Sequence, residues 1–419
     1  MIRQIVIIGN GISGITAARH IRKNSDDKIT VISSETEHFF SRTALMYIYM
    51  GHMKYEHTKP YEDWFWKKNR IDLVFDHVES VDINNRKILT GSSAAIEYDV
   101  LIIATGSKPN KFGWPGQDLN GVHGMYSRND LDMLERNSPR INNAVVVGGG
   151  LIGIELVEML LSRNIGVTFL VREKSFWSKI LPAEESEMIN RIIRSHHVNL
   201  KLKTELKEIL GDEEGYIKSV IDSAGEEFTC QFVGLTVGVS PNISFLLNSG
   251  IETDRGVLVD EYLETNVKDV YAIGDCAQHR TPPDGRKPVE QVWYTGRIMG
   301  ETVAQTITRN RLPYKPGIWF NSAKFFDTEY QTYGWVFPTL KDNEDTWYRE
   351  NIKKNQALRL VFLKENQQLT GVNALGIRLR HDVLDKWITE GYTADYMLEH
   401  LSEALFDPEF FLKPDLSTL

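Results

Sequence analysis

Apolar and polar positions along the chain fall into two copies of one pattern and then a different one. Ile5–Ile8 is a continuous apolar run, which predicts a buried parallel strand. Small residues follow, then a helical run through Ala17, Ala18 and Ile21, and a second apolar strand, Ile29–Ile32. From Ile71 to Ile102 the pattern changes to short alternating strands, Ile71–Phe75, Val78–Ile83 and Lys87–Leu89, with Asn84-Asn85 as a hairpin turn. Tyr98–Gly106 is a buried strand ending in small residues, and Ser107–Gly121, with Pro109 and Pro115, is a linker. The plan then repeats. Val145–Val147 leads through glycines into helix residues as far as Leu161, Val167–Val171 is the next strand, and Lys201–Gly238 again alternates strand and turn signals. Gly256–Asp260 and Thr265–Asp275 are strand-like, and Thr295–Thr308 is helical. From Trp319 five short β-like segments (Ser322–Phe326, Thr332–Val336, Thr346–Glu350, Leu358–Leu363, Gly371–Leu375) precede a helical stretch, Arg380–Phe406.

The junctions of the repeated plan carry chemistry. Gly9, Gly11 and Gly14 form G-x-G-x-x-G between strand and helix, with Ile12-Ser13 opening the helix. The first glycine permits a tight turn, the second lets backbone approach a pyrophosphate, and the third lets helix and strand pack closely. The free N–H groups at the helix start face the phosphate charge. An acid about 20 residues on should hold a ribose hydroxyl, and Glu35 stands there. Gly148, Gly150 and Gly153, around Leu151-Ile152, repeat the motif. Two such units imply two nucleotide ligands. Gly274-Asp275 ends an apolar strand where α/β proteins bind ligands; the alternative is a turn aspartate capping the next helix. Glu37–Gly51 is aromatic-rich and reads either as core or as a wall beside a flat cofactor.

Composition narrows the function classes. A chain of 419 residues holds two or three domains, and 42% hydrophobic with 25% charged residues is ordinary for a globular protein. A net charge of -9 argues against nucleic acid or an anionic membrane as main partner. The two cysteines, Cys230 and Cys276, lack metal-ligand spacing and fit a reducing compartment. No metal site is expected. Met1-Ile2-Arg3-Gln4 runs straight into the first strand, leaving no room for a signal peptide. No apolar run approaches the ~18 residues of a membrane helix, so no integral membrane segment and a cytoplasmic location are expected.

Together these motifs resemble the two-dinucleotide-domain flavoproteins: ferredoxin and rubredoxin reductases, coenzyme A-disulfide reductases and NADH oxidases of the pyridine nucleotide-disulfide oxidoreductase superfamily. The resemblance covers nearly the whole chain. It implies an α/β fold with two Rossmann-like domains and a C-terminal α+β interface domain. An FAD domain would take 1–112 and 247–318, an NAD(P)H domain 113–246, and the interface domain 319–419. It implies that Gly9, Gly11, Ile12, Ser13, Gly14, Glu35 and Arg42 serve FAD. Ala104-Thr105-Gly106 would be the exit from the FAD domain, Gly274-Asp275 the ribityl site, and Gly238-Val-Ser-Pro-Asn242 the return crossover. Val292–Arg297 matches the segment at the pyrimidine end of the flavin. Gly148, Gly150, Leu151, Ile152, Gly153 and Glu155 would serve NAD(P)H. The last domain would cover the flavin or form a homodimer contact.

Three departures refine this. Thr43 stands where coenzyme A-disulfide reductases carry their reactive cysteine, and disulfide exchange needs a thiolate. Tyr47 replaces the lysine that ferredoxin reductases place beside the flavin, so no Lys–Glu pair with Glu155 forms. Val171 replaces the acid of NADH-specific relatives, and Arg172 follows it, which makes NADPH acceptable. Candidates at the reacting end are Tyr47 (gating or packing), Glu155 (hydride site or helix-start charge) and Trp293 (flavin neighbour or interface core). His196-His197 read as surface residues and Cys276 as a buried small residue. The expected function is hydride transfer from NAD(P)H to FAD and on to a small redox protein or small-molecule acceptor, with no redox disulfide. The rivals are a type-II NADH dehydrogenase-like quinone reductase and a flavoprotein whose nucleotide-dependent shape is the output. The former wants a basic amphipathic tail, whereas Thr393–Phe406 carries Asp395, Glu399 and Glu403 and no Lys or Arg. Lys353-Lys354 and Arg378–Arg380 are the candidate basic clusters for an acidic partner.

Overall fold

The computed structural model describes residues 2–283 and 285–406. The chain divides into two compact units. Of the described residues, the first takes those up to Asn110, Tyr126–Asp132 and Val239–Pro316; the second takes Lys111–Met125, Met133–Gly238 and those from Gly317 to Phe406.

The first unit is built on a five-stranded sheet ordered Val270–Ala272, Val100–Ile103, Gln4–Ile8, Lys28–Ser33, Ile71–Phe75. Every neighbouring pair is parallel. Its central strands are unbroken apolar runs because both faces are covered: Ile5, Val6, Ile7, Leu101 and Ile102 are fully buried. Ile71–Phe75 alternates in sequence like a hairpin strand, yet it is the last strand of the parallel sheet, with Ile29 opposite Ile71. An edge strand covered on one face alternates whichever way it is paired, and only Ile71 is buried in it. A small antiparallel sheet, Val78–Asp82, Lys87–Thr90 and Ala95–Glu97, follows. Helices Ile12–Asn24 and Trp293–Thr308 pack closely together.

In the second unit the plan recurs. Five parallel strands run in the order Asn199–Leu202, Gly166–Val171, Asn143–Val147, Phe232–Leu235, Val122–His123. The small antiparallel sheet is Leu206–Gly211, Ile217–Asp222 and Glu227–Thr229. The same unit carries a five-stranded antiparallel sheet, ordered Phe320–Phe325, Thr328–Gly334, Leu369–Leu375, Gln356–Leu363, Glu344–Asn351. The helical stretch after it is three pieces, His381–Thr389, Ala394–Glu399 and Leu401–Ala404. The first break falls at Gly391, whose φ of +74° leaves the helical region. Leu384, Trp387, Met397 and Leu401 bury one face of these pieces against Leu358, Leu360 and Val372 of the sheet.

Candidate functional site

The C-terminal ends of the first unit's strands converge. Gly9 N–H donates to Ile32 O (2.8 Å), Ala104 N–H to Ile8 O (2.8 Å) and Ile273 N–H to Ile103 O (2.9 Å). Gly9, Ala104-Thr105-Gly106 and Gly274-Asp275 therefore line one edge. Gly9 has φ +112°, and a Cβ there would run into the Ala104 carbonyl. Gly14 is wedged against Gly9, Ile7 and Ala104, while Gly11 faces no atom within 4 Å. The outer glycines are packed and the middle one is open, which is what close approach of a pyrophosphate requires. Gly11 caps the helix that opens with Ile12 and Ser13, with no side-chain cap and no acid in the first turn. Its N–H groups are left for an anion.

Glu35 follows the second strand. Arg42 donates to it through Nη1 (3.0 Å to Oε1) and through Nη2 to the other oxygen, and Arg128 N–H donates to Oε1 (2.9 Å). A carboxylate has about four acceptor positions, so one hydroxyl still fits. Arg42 also donates to Tyr126 O (2.7 Å). Beside Glu35 lies a cavity of about 340 Å³, lined by Thr36, Glu37, His38, Tyr55, Lys59, Arg128 and Asp132. The Arg128 guanidinium lies 4.0 Å from the Tyr55 ring centre, giving a flat cationic and aromatic wall. No motif marks this cavity in the sequence. Its signal is only the polar and aromatic residues Tyr55 and Arg128, outside any hydrophobic period.

Asp275 caps no helix. It sits in a single 3-10 turn, Gly274–Cys276, without a side-chain cap bond, so the capping alternative does not hold. Ser107 Oγ donates to Asp275 Oδ2 (3.1 Å), and Gln291 Nε2 donates to Ser107 Oγ (2.9 Å). Burial pushes the Asp275 carboxyl up from its ordinary value. A half-buried carboxyl held by Ser107 keeps acceptor positions for further donors such as ligand hydroxyls. Thr105 Oγ1 donates to Asn242 O (2.7 Å), and Ser107–Pro109 pairs antiparallel with Val239–Pro241. Val292 is the N-cap of helix Trp293–Thr308, and Trp293 is 37% exposed, its ring against Tyr294. Trp293 is therefore no core residue of the described chain.

The second unit repeats the cradle. Gly148 has φ +113°, a Cβ there would run into the Thr236 carbonyl, and Gly150 faces no atom within 4 Å. Gly153 packs on Gly148, Thr236 and Phe169. Leu151 and Ile152 open helix Leu151–Leu161, which again has no side-chain cap and no first-turn acid. Val171, buried, lies under Gly149. Arg172 is 64% exposed at the strand end and pairs with Glu173 (3.3 Å), which also holds Lys179 (3.0 Å). Gly238, φ +86°, ends this stretch of the unit.

Glu155 lies one turn inside its helix, so it is not the helix-start charge that the sequence suggests. Burial, and then the like charge of Glu158, push its carboxyl up to about 7. Glu158 itself accepts from Lys324 Nζ (2.8 Å). Of the aromatic stretch, Phe39, Phe40, Leu45, Met46 and Tyr49 are core. Tyr47, on helix Leu45–Tyr49, stays half-buried, stacked on His52 at 6.0 Å. Thr43 is exposed, its hydroxyl 3.2 Å from that of Ser41. Both cysteines are buried and free. Burial pushes the Cys230 thiol up to about 12, and Cys276 Sγ rests against the carbonyls of Ile103 and Ile273. His196 is half-buried and stacks on Phe326. Among the described residues no group of three or more His, Cys, Asp or Glu could hold a metal. Among the same residues no helix is long and apolar enough to cross a membrane.

The family model described as pyridine nucleotide-disulphide oxidoreductase matches residues 3–305. The chain is 29% identical over 282 residues to a nitrite reductase (NAD(P)H) of Bacillus subtilis, covering 66% of this chain and 35% of that protein. It is 28% identical over 336 residues to a ferredoxin–NAD(P)(+) reductase of Sphingomonas, covering 79% and 80%. The chain thus spans about a third of the first relative and four fifths of the second. A ferredoxin reductase from Rhodopseudomonas palustris has the same fold, with a TM-score of 0.82 at 22% identity, over 89% of this chain and 91% of that one.

Proposed function

Because this chain belongs to the pyridine nucleotide-disulphide oxidoreductase family, we propose that it is an NAD(P)H oxidoreductase that holds FAD in the first unit and the coenzyme in the second. Electrons leave directly for an acceptor, of which a small redox protein of the ferredoxin or rubredoxin type is the favoured class. The observation that carries this is the duplicated cradle: two glycine turns on two parallel sheets, each with only its middle glycine open. Names among the relatives, ferredoxin–NAD(P)(+) reductase and rubredoxin–NAD(+) reductase, support the acceptor class.

When bound, flavin supplies hydride acceptance and onward release of electrons. The chain's own residues do the rest. The N–H groups behind Gly11 hold the pyrophosphate, Glu35 with Arg42 holds a ribose hydroxyl, and Asp275 accepts from the ribityl hydroxyls. The cavity beside Glu35 takes the adenine against Tyr55 and Arg128. Gly150 and its helix hold the coenzyme pyrophosphate. Glu155 keeps its proton until about pH 7, so a neutral or charged carboxyl is available at that helix in the working range. Val171 removes the acid that would repel a 2′-phosphate, and Arg172 offers a planar donor fork, so NADPH is accepted alongside NADH. Tyr47 and Trp293 are positioning groups at the reacting end, and Thr43 and the buried cysteines keep protein thiols out of the path.

Purified protein should be yellow. Anaerobic mixing with NADH and with NADPH in separate experiments should bleach the flavin, and reoxidation should be faster by a [2Fe-2S] ferredoxin or a rubredoxin than by oxygen. Folded protein that takes up no FAD, or bound flavin that neither coenzyme bleaches, would sink the proposal.

A further inference from the structure

The loop joining strand Gly166–Val171 to helix Ala183–Ser195 has two unlike halves. Its first half, Arg172–Lys174, lies at the C-terminal end of a parallel strand, the edge at which α/β proteins bind ligands. Arg172, Lys174 and the later Lys179 are exposed there. Glu173 ties two of them together, 3.3 Å from Arg172 and 3.0 Å from Lys179. Further along the loop two aromatic residues are buried, although Lys179 and Ile180 after them are exposed. Phe176 is fully buried and Trp177 is 8% exposed.

Trp177 adopts φ +58°. For a bulky side chain that conformation is unfavourable and persists only where surrounding structure imposes it. What surrounds it comes from the antiparallel sheet. The Trp177 ring meets Phe325 edge-on at 5.2 Å and Tyr330 at 5.9 Å. On its other side the loop is tied to its own helix: Asn190 Oδ1 accepts from Phe176 N–H (3.1 Å), and Asn190 Nδ2 donates to Ser175 Oγ (2.7 Å). The sheet is in turn fixed to that helix by a buried charge pair, Arg359 Nε to Glu185 Oε1 at 2.8 Å, with side chains 4% and 0% exposed.

We propose that the C-terminal antiparallel sheet anchors the coenzyme-reading loop, with Trp177 as the positioning residue that sets where Arg172 and Lys179 meet the ribose end of the coenzyme. This rests on the reading that the second cradle takes NAD(P)H. The sheet then acts on coenzyme affinity without touching the coenzyme. An apolar anchor suits this task because stacked rings in a buried pocket tolerate little displacement, whereas the exposed ion pairs of Glu173 alone fix the loop weakly.

The test compares Trp177→Leu, Phe325→Leu, the conservative Trp177→Phe, and Leu384→Ala. The last removes a fully buried side chain from the same sheet's helical layer and away from the loop. Readouts are FAD content, KM and kcat with NADPH, and the Kd of 2′,5′-ADP as probe. Trp177→Leu and Phe325→Leu should each raise KM and the probe Kd about ten-fold with kcat changed less than about two-fold. Trp177→Phe should recover most of that, and Leu384→Ala should lower Tm while leaving KM and Kd alone. Unchanged KM and Kd in either folded leucine variant would overturn the inference, as would an equal rise in Leu384→Ala. Should Trp177→Leu not fold, Phe325→Leu, which leaves the loop's own sequence intact, decides the matter by the same readouts. Wild-type protein that binds neither NADPH nor 2′,5′-ADP would overturn the functional reading itself, a result distinct from unaltered variants of an active enzyme.

Discussion

Single atoms separate the roles of neighbouring glycines. At Gly9 a side chain would meet the Ala104 carbonyl at a φ of +112°, while at Gly11 it would meet nothing. Gly9→Val should therefore fail as a folding defect, losing more than about 3 kcal/mol through backbone strain and displaced packing. Gly11→Val should fold with a Tm near that of wild-type apoprotein and weaken FAD binding by at least about ten-fold, about 1.4 kcal/mol. Thermal unfolding of apoprotein and flavin titration separate the two, and a normal FAD affinity in Gly11→Val would contradict the cradle. Glu155 makes a prediction in pH. Its folded value, about 7, lies above the ordinary 4.5, so the neutral carboxyl's contribution to stability is full below about pH 4.5 and is lost as pH rises through about 7. Across that window wild type should lose roughly 2–3 kcal/mol that Glu155→Gln keeps. Tm measured at pH 5 and pH 8 should fall in wild type and stay level in the variant, apart from changes common to both.

At the scale of elements, both cysteines belong to the packing of strands. Cys230 lies just before strand Phe232–Leu235 and Cys276 in the turn carrying Asp275, and neither thiol is exposed or paired. The variant Cys230→Ala/Cys276→Ser should keep NAD(P)H-dependent ferricyanide reduction within a few-fold, and reductive titration should end near two electrons per FAD. Uptake near four would reveal a redox thiol. The two cradles were legible in sequence because glycine spacing there has one steric meaning, and the duplicated strand–helix plan followed from unbroken apolar runs. Other elements were not. Ile71–Phe75 alternates because it is an edge, a property that periodicity shares with hairpins. The cavity beside Glu35 draws Tyr55 and Arg128 from segments with no motif, and Tyr126–Asp132 rejoins the first unit without a turn or composition signal. Trp177 drew no reading from the sequence, since nothing there announces a left-handed backbone at tryptophan.

At the scale of the molecule, the second unit joins its antiparallel sheet to helix Ala183–Ser195 through a buried charge pair, Arg359 with Glu185, beside the aromatic contacts of Trp177. Arg359→Met leaves Glu185 buried without its cation and should cost about 3–5 kcal/mol, whereas the pair Glu185→Leu/Arg359→Met should recover most of it. Urea unfolding followed by near-ultraviolet circular dichroism would register both, and a loss in the double variant as large as in the single would count against a buried pair. The order of strands in the first sheet has a consequence for how the protein is made. Its strands from Gln4 to Ile103 leave the ribosome early, but the neighbour that closes the outer edge of Val100–Ile103 is Val270–Ala272. At about 5–20 residues per second, that partner emerges roughly ten to thirty seconds later, after every strand of the second parallel sheet, the last being Phe232–Leu235. The second parallel sheet therefore has all its strands before the first one does. In the interval the nascent chain carries an apolar strand with an open edge, the kind of surface that chaperones shield.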